Sequence, residues 1–248
     1  MGKIISIINN KGGVGKTTTA VNLAVGLHNK NYRILLIDLD AQCNASEHLG
    51  FVRYAETSFD IFEGKALPYF QSKSGVSVCP SSRRMAEVEI TIAAKKSREK
   101  FLKKALIEVK PLFDFIVIDC PPSTGDVTTN ALVASDSIII PLQADFLAYR
   151  GIDSIIGLIN ELREDLNPLL EIEGVLLTMY NRQRILTKEI EKEIFKKFGS
   201  KFYQNAIRVN VALAEAPSVG LDIFTFAPQS NGATDYKEFV NEFLSHQK

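Results

Sequence analysis

The sequence predicts an α/β fold, a doubly wound and mostly parallel sheet with helices on both faces, and three observations carry that reading. First, six short apolar runs recur along the chain at 4–8, 34–39 (ILLIDL), 76–79, 115–118 (FIVI), 137–140 and 174–179 (GVLLTM). Most lack the polar/apolar alternation of a half-exposed strand, as expected of central parallel strands covered on both faces. Second, helix-periodic stretches such as 18–28 and 98–109 lie between them; strand alternating with helix implies βαβ crossovers. Third, there are no repeats, low-complexity tracts or Pro/Gly-rich linkers, so residues 1–248 read as a single domain.

The first run leads into NNKGGVGKTTTAVN, from Asn9 to Asn22. A phosphate-binding loop of the form G-x-x-x-x-G-K-[ST] needs a strand before it and a helix after it, and both are present. Gly12, Gly13 and Gly15 remove side chains so that backbone N–H groups converge on phosphate oxygens. The following helix adds roughly half a positive charge aimed at the same anion. Lys16 is then expected to bridge the β- and γ-phosphates of ATP, and the Thr17 hydroxyl to bind Mg²⁺. Asn10, Lys11, Gly12, Gly13, Val14, Gly15, Lys16, Thr17 and Thr18 are the expected nucleotide-holding set.

The second run ends in Asp38 and continues to Asp40, and the fourth is followed by Asp119, all at C-terminal strand ends, where open α/β sheets bind ligands. Asp119 reads as the carboxylate that holds Mg²⁺ through water. Asp38 either supports the waters around the metal or caps the next loop. Pro121-Pro122 stiffen the exit from Asp119, and Ser123-Thr124-Gly125 are placed to sense the terminal phosphate.

Composition bounds the alternatives. Hydrophobic residues make up 46% and charged residues 23%, enough for a sizeable core. Lys plus Arg equals Asp plus Glu at 29 each, which argues against a constitutively basic coat and leaves room for a local patch. Cys43, Cys79 and Cys120 are widely spaced, so the chain is expected in a reducing, cytoplasmic compartment with no thiolate metal site, and Cys120 reads as buried filler. No apolar run approaches the ~20 residues that span a bilayer, and Gly12 and Lys16 interrupt the N-terminal stretch too early for a signal peptide. Two charge-dense segments, 83–104 and 182–197, read as solvated helical faces, with a partner surface as the alternative for the first. In the second, Ile185, Ile190, Ile194 and Phe195 are spaced as one buried face.

The loop departs from the standard pattern: Asn10 stands where the first glycine belongs, followed by Lys11. In this it resembles the deviant Walker A family, K-G-G-x-G-K-[ST], which includes ParA, MinD, the nitrogenase iron protein and the arsenite-pump ATPases. The resemblance implies that Lys11 crosses a dimer interface to the other subunit's phosphates, so that ATP holds a homodimer together and each lysine stabilises transferring charge. Arginine fingers in comparable systems are worth ~10³–10⁵ in rate. It also assigns Asp40, in Asp38-Leu39-Asp40-Ala41-Gln42, to orienting the attacking water near Mg²⁺.

Within the family, residues 138–151, 174–184 and above all Asn210-Val211-Ala212-Leu213-Ala214-Glu215-Ala216-Pro217-Ser218 resemble chromosomal ParA proteins of the Soj type. That likeness implies that Arg208, Val209 and Asn210 line the adenine pocket. It further implies non-specific binding to double-stranded DNA, hydrolysis stimulated by a ParB-like partner with slow basal turnover, and a role in chromosome or plasmid partition or cargo positioning. The chain departs from the usual I-P-R-N-V-R, with Arg208, Val209 and Ala212 at altered positions. Arg182, Arg184, Lys188, Lys192, Lys196, Lys197, Lys201 and Arg208 are the substitute DNA surface. A nucleotide-gated switch without DNA transport is the alternative. MinD-like membrane attachment fits poorly, because the stripe Tyr236, Phe239, Val240, Phe243 and Leu244 is opposed by a face that is not basic.

Overall fold

The computed structural model describes residues 2–143, 146–181, 183 and 185–247, with the side chains of 146–150 and 185–188 outside the description. The strands are β1 (Lys3–Ile7), β2 (Ile34–Asp38), β3 (Phe70–Gln71), β4 (Ser77–Cys79), β5 (Phe115–Asp119), β6 (Ser137–Gln143) and β7 (Glu171–Thr178). The helices are α1 (Lys16–His28), α2 (Asn44–His48), α3 (Ser58–Glu63), α4 (Val88–Ile92), α5 (Phe101–Val109), α6 (Asp126–Ala134), α7 (Phe146–Asp165), α8 (Ile185–Phe198), α9 (Val211–Glu215), α10 (Ile223–Phe226) and α11 (Asn231–Ser245). The sheet order is β3-β4-β2-β5-β1-β6-β7, with every pairing parallel except β3 on β4.

The alternating strand residues divide between two apolar layers. Ile4, Ile116, Ile118, Ile138 and Ile140 pack beneath α3, α5, α6 and α7, whereas Ile5, Ile7, Val117 and Ile139 pack beneath α1 and α11. Burial on both faces is why the runs carry no polar alternation. Register does the work that matters for the site. Asp119 lies level with Ile7 on one side and Asp38 on the other, so the loop after β1 and both carboxylates emerge together at the C-terminal edge.

Several boundaries differ from the sequence expectation. β6 extends to Gln143, and β7 begins at Glu171 and stops at Thr178, because Met179 turns to φ +49° and leaves the extended region. The two-residue antiparallel β3 carries no periodic signal. Residues 83–104 do not form one continuous helical face. A 3₁₀ turn (Arg83–Glu87) precedes α4, Ser97 reverses the chain at φ +53°, and a second 3₁₀ turn (Arg98–Lys100) precedes α5. On α8, Ile190 and Ile194 are buried as expected, but Phe195 is 53% exposed. It lies about 100° round the helix from Ile194 and reaches only an edge contact with Phe202, ring centroids 6.3 Å apart.

The C-terminal stripe closes the second layer. Tyr236, Phe239, Val240 and Phe243 are buried, with Leu244 packed against them. Phe243 meets Phe115 edge-on at 5.6 Å, Phe239 meets Tyr203 at 4.9 Å, and the Tyr236 hydroxyl lies 3.1 Å from that of Thr19. Among the described residues no helix is long and apolar enough to cross a membrane. Phe239→Ala is expected to lower unfolding free energy by about 3–5 kcal/mol in urea denaturation. A loss below about 1 kcal/mol would mean that α11 is not part of the core.

Candidate nucleotide site

Between β1 and α1 the chain makes the sharp reversal that its glycines permit. Gly13 (φ +74°) and Gly15 (φ +85°) occupy the left-handed region, and open space surrounds the positions where Cβ atoms of Gly12 and Gly13 would stand. Gly15 is the residue before the helix, so the first unpaired N–H groups of α1 face the loop's hollow. Two side chains the sequence reading passed over brace this loop. Asn9 Nδ2 donates to the Pro141 carbonyl at 2.8 Å, and its Oδ1 accepts from Lys11 N at 3.0 Å. Thr178 Oγ1 donates to the Val14 carbonyl at 2.8 Å. The loop is thereby tied to β6 and β7.

The two lysines differ in setting. The Lys16 ammonium is buried and donates to the Lys11 carbonyl at 2.8 Å. Burial pulls its pKa down, against the opposing pull of Asp119, Cys120 and Asp40. Lys11 is half-buried, and its Cε lies 3.5 Å from where a Gly151 Cβ would stand, so the glycine of α7 leaves room for this side chain. Asn10 Nδ2 donates to Ser154 Oγ at 2.7 Å, and its buried Oδ1 has no hydrogen-bond partner among the described residues.

Asp119 is the electrostatic outlier. It is fully buried, and neither carboxylate oxygen accepts a hydrogen bond of normal geometry among the described residues. Burial, then the neighbouring Asp38 and Asp40, push its pKa well above the usual carboxylate range, while the Thr17 hydroxyl and Lys16 work the other way. Asp38 is equally buried but well satisfied. Its Oδ1 accepts from Asp40 N at 3.0 Å, and its Oδ2 accepts from Ser46 N at 2.8 Å and Ser46 Oγ at 2.6 Å. Burial still pushes its pKa up to about 6. Of the two roles open from the sequence, the capping role is the one these bonds fulfil. Asp40 Oδ1 accepts from Gln42 N at 2.9 Å.

Cys43 stands at φ +58°, and burial pushes its thiol up to about 11; Cys120 is buried and its thiol is pushed higher still. No group of three or more His, Cys, Asp or Glu able to hold a metal occurs among the described residues.

Beside the loop lies a cavity of about 380 Å³, bordered by Gly15, Thr18, Asn181, Arg208, Val209 and Asn210. The predicted phosphate and base residues therefore meet in one depression. Its outer wall is fixed by the Arg208 guanidinium, which pairs with Asp235 through Nε and Nη2 at 2.5–3.1 Å, and by Asn210, whose Oδ1 accepts from Leu213 N at 3.3 Å. A larger hollow of about 680 Å³ between α1 and α11 contains none of the predicted site residues.

Of the cations expected at a DNA surface, Arg208 pairs with Asp235, Lys197 with Asp153, and Lys201 lies 3.7 Å from Glu171. Lys192 and Lys196 remain exposed on α8. Arg182, Arg184 and the side chain of Lys188 lie outside the described residues.

The AAA domain family matches residues 2–172. The sporulation initiation inhibitor protein Soj of Bacillus subtilis is 41% identical over 252 residues, covering 99% of this chain and 100% of that protein. Among solved structures, a putative plasmid partition protein from Borrelia burgdorferi bound to AMPPNP superposes with a TM-score of 0.85 at 25% identity, covering 99% of both chains. The cobyrinic acid a,c-diamide synthase of Mycobacterium smegmatis with bound ATP analog and magnesium gives 0.86 at 28% identity, over 100% of this chain and 96% of that one. With a glycine loop carrying two lysines, carboxylates at adjacent strand ends and likeness along its whole length, the chain belongs to the ParA/Soj family of P-loop partition ATPases.

Proposed function

We propose that the chain is a partition ATPase that binds ATP with Mg²⁺, dimerises on it, holds DNA non-specifically and hydrolyses ATP slowly until a ParB-like partner accelerates it. The observation that carries the reading is the fully buried Asp119 carboxylate, whose oxygens accept no hydrogen bond of normal geometry among the described residues and which stands level with Ile7, the last residue of β1 before the Gly-rich loop. An uncompensated buried charge costs several kcal/mol and persists where a cation relieves it. Oxygen donors of this type suit Mg²⁺, which keeps several waters and takes few protein ligands. Thr17 and, through water, Asp119 and Asp40 would hold it. Mg²⁺, when bound, neutralises charge that develops on the transferring phosphoryl group.

The chain's own groups supply the rest. Lys16 exchanges the Lys11 carbonyl for phosphate oxygens, the N–H groups of Gly12 to Thr18 cradle the anion, and Arg208 to Asn210 border the base. Asp40 orients the attacking water. Lys11 reaches the neighbouring subunit's phosphates. Lys192 and Lys196 are the exposed described cations from which a DNA surface is built, and several phosphate contacts suffice for salt-sensitive binding. The solved relative with an ATP analog and magnesium, and the putative plasmid partition protein bound to AMPPNP, support this reading by likeness. A nucleotide-gated switch without DNA transport would share the site and lack the DNA step.

Two outcomes test the proposal. Asp119→Asn removes a carboxylate whose folded-state pKa lies above its unfolded value. That carboxylate subtracts stability progressively as pH rises from about 4, until pH passes its raised folded-state pKa. The variant is therefore expected to melt higher than wild type without nucleotide, by about 2–4 °C for each kcal/mol recovered. It should also lose the extra stabilisation that Mg²⁺ gives to nucleotide-bound protein. Melting below wild type would contradict the assignment. Asp40→Ala with ATP is expected to scatter light as a dimer and to shift arbitrary duplex DNA, the shift disappearing between ~50 and ~200 mM salt. No shift with any nucleotide would remove DNA transport from the account.

A further inference from the structure

We propose that Ser81 and Ser46 are positioning residues that clamp the backbone of Asp40, and so fix the water-orienting carboxylate relative to the phosphate loop. This rests on the reading of Asp40 given above. Ser81 Oγ donates to the Asp40 carbonyl at 2.7 Å, and Asp40 N donates to Asp38 Oδ1 at 3.0 Å, so both main-chain polar groups of Asp40 are held. The two restraints join into one ring. Asp38 Oδ2 accepts from Ser46 Oγ at 2.6 Å, and Ser46 Oγ in turn accepts from Ser81 N at 2.8 Å. Every member is buried, which strengthens each bond electrostatically and makes an unmade one costly.

The clamp has a rigid anchor. Ser81 follows β4 and sits between two residues fixed by the start of α3: Ser58 N donates to the Pro80 carbonyl at 2.8 Å, and Thr57 Oγ1 donates to Ser82 Oγ at 3.3 Å. That helix start is itself secured by a capping box between Thr57 and Asp60. Asp40 lies past the end of β2, where no ladder bond holds it; its carbonyl accepts from Cys43 N at 2.9 Å within the turn and from the Ser81 hydroxyl across the chain. Asp40's Oδ1 is occupied by Gln42 N, and its Oδ2 has no hydrogen-bond partner among the described residues. A fixed backbone is what gives that second oxygen a defined place.

The test is steady-state ATP hydrolysis by the full chain at saturating Mg²⁺ and varied ATP. Ser81→Ala is expected to lower kcat about tenfold, the effect of one lost orienting hydrogen bond, with KM for ATP changed less than about twofold and melting within roughly 4 °C of wild type. Ser81→Thr, which keeps the hydroxyl, should restore most of the rate. Ser81→Cys, near in size and a weak donor, should resemble the alanine variant and serves in its place if that one does not fold. Wild-type kcat in both hydroxyl-free variants, or a raised KM with kcat unchanged, overturns the clamp. Asp40→Ala is the companion control. If it is inactive while Ser81→Ala is normal, the clamp alone fails; if it hydrolyses ATP at the wild-type rate, the site reading fails with it.

Discussion

Three parallel strands in register, β2, β5 and β1, impose the constraint on which the rest depends. Because Asp119 is level with both Asp38 and Ile7, the pairing sets two buried carboxylates beside the mouth of the glycine loop. Stability alone would not select such an arrangement, since water solvates neither carboxylate and only one is satisfied by hydrogen bonds. Asp38 spends its lone pairs on the following loop, whereas Asp119 accepts no hydrogen bond of normal geometry among the described residues. Lys16, the nearby cation, offsets this in part; it is itself buried, its charge disfavoured by burial, and it donates to the neutral Lys11 carbonyl.

Around this centre the chain distributes fixed and adaptable parts. The loop is braced from β6 by Asn9 and from β7 by Thr178, and α11 seals the layer behind α1 with four buried side chains. On the base side, Arg208 is locked to Asp235 and Asn210 caps α9, so the rim of the cavity is set before any ligand enters. Lys11 is the contrasting case. Its Cε lies beside Gly151 of α7, 3.5 Å from where a Cβ would stand.

Much of this was legible in the sequence because the chemistry is local. Phosphate binding needs glycines and a lysine within a few residues, and a buried strand needs an unbroken apolar run; both survive in a single line of text. Asp38, Asp40 and Asp119 were visible as carboxylates that close such runs. What escaped depends on contacts across the chain. The partner of Arg208 lies 27 residues away, so its pairing with Asp235 leaves no local signal. Ser81 meets Asp40 over 41 residues, within a Pro-Ser-Ser triplet that reads only as a turn. Phe195 follows the apolar period yet faces outward, because periodicity marks a stripe and not how far the neighbouring layer extends. Asn9 was the one omission with a local signal, an asparagine immediately before the glycine loop.

The central claim is that Asp119 carries charge the folded chain cannot satisfy and that Mg²⁺ with nucleotide does. Carboxyl carbon NMR of the aspartates, titrated from acid to neutral pH with and without Mg²⁺ and a non-hydrolysable ATP analogue, addresses it directly. The account predicts that Asp119 titrates well above the usual carboxylate range in the free protein and falls below that range in the complex. A titration near 4, the ordinary aspartate value, in both states would contradict it.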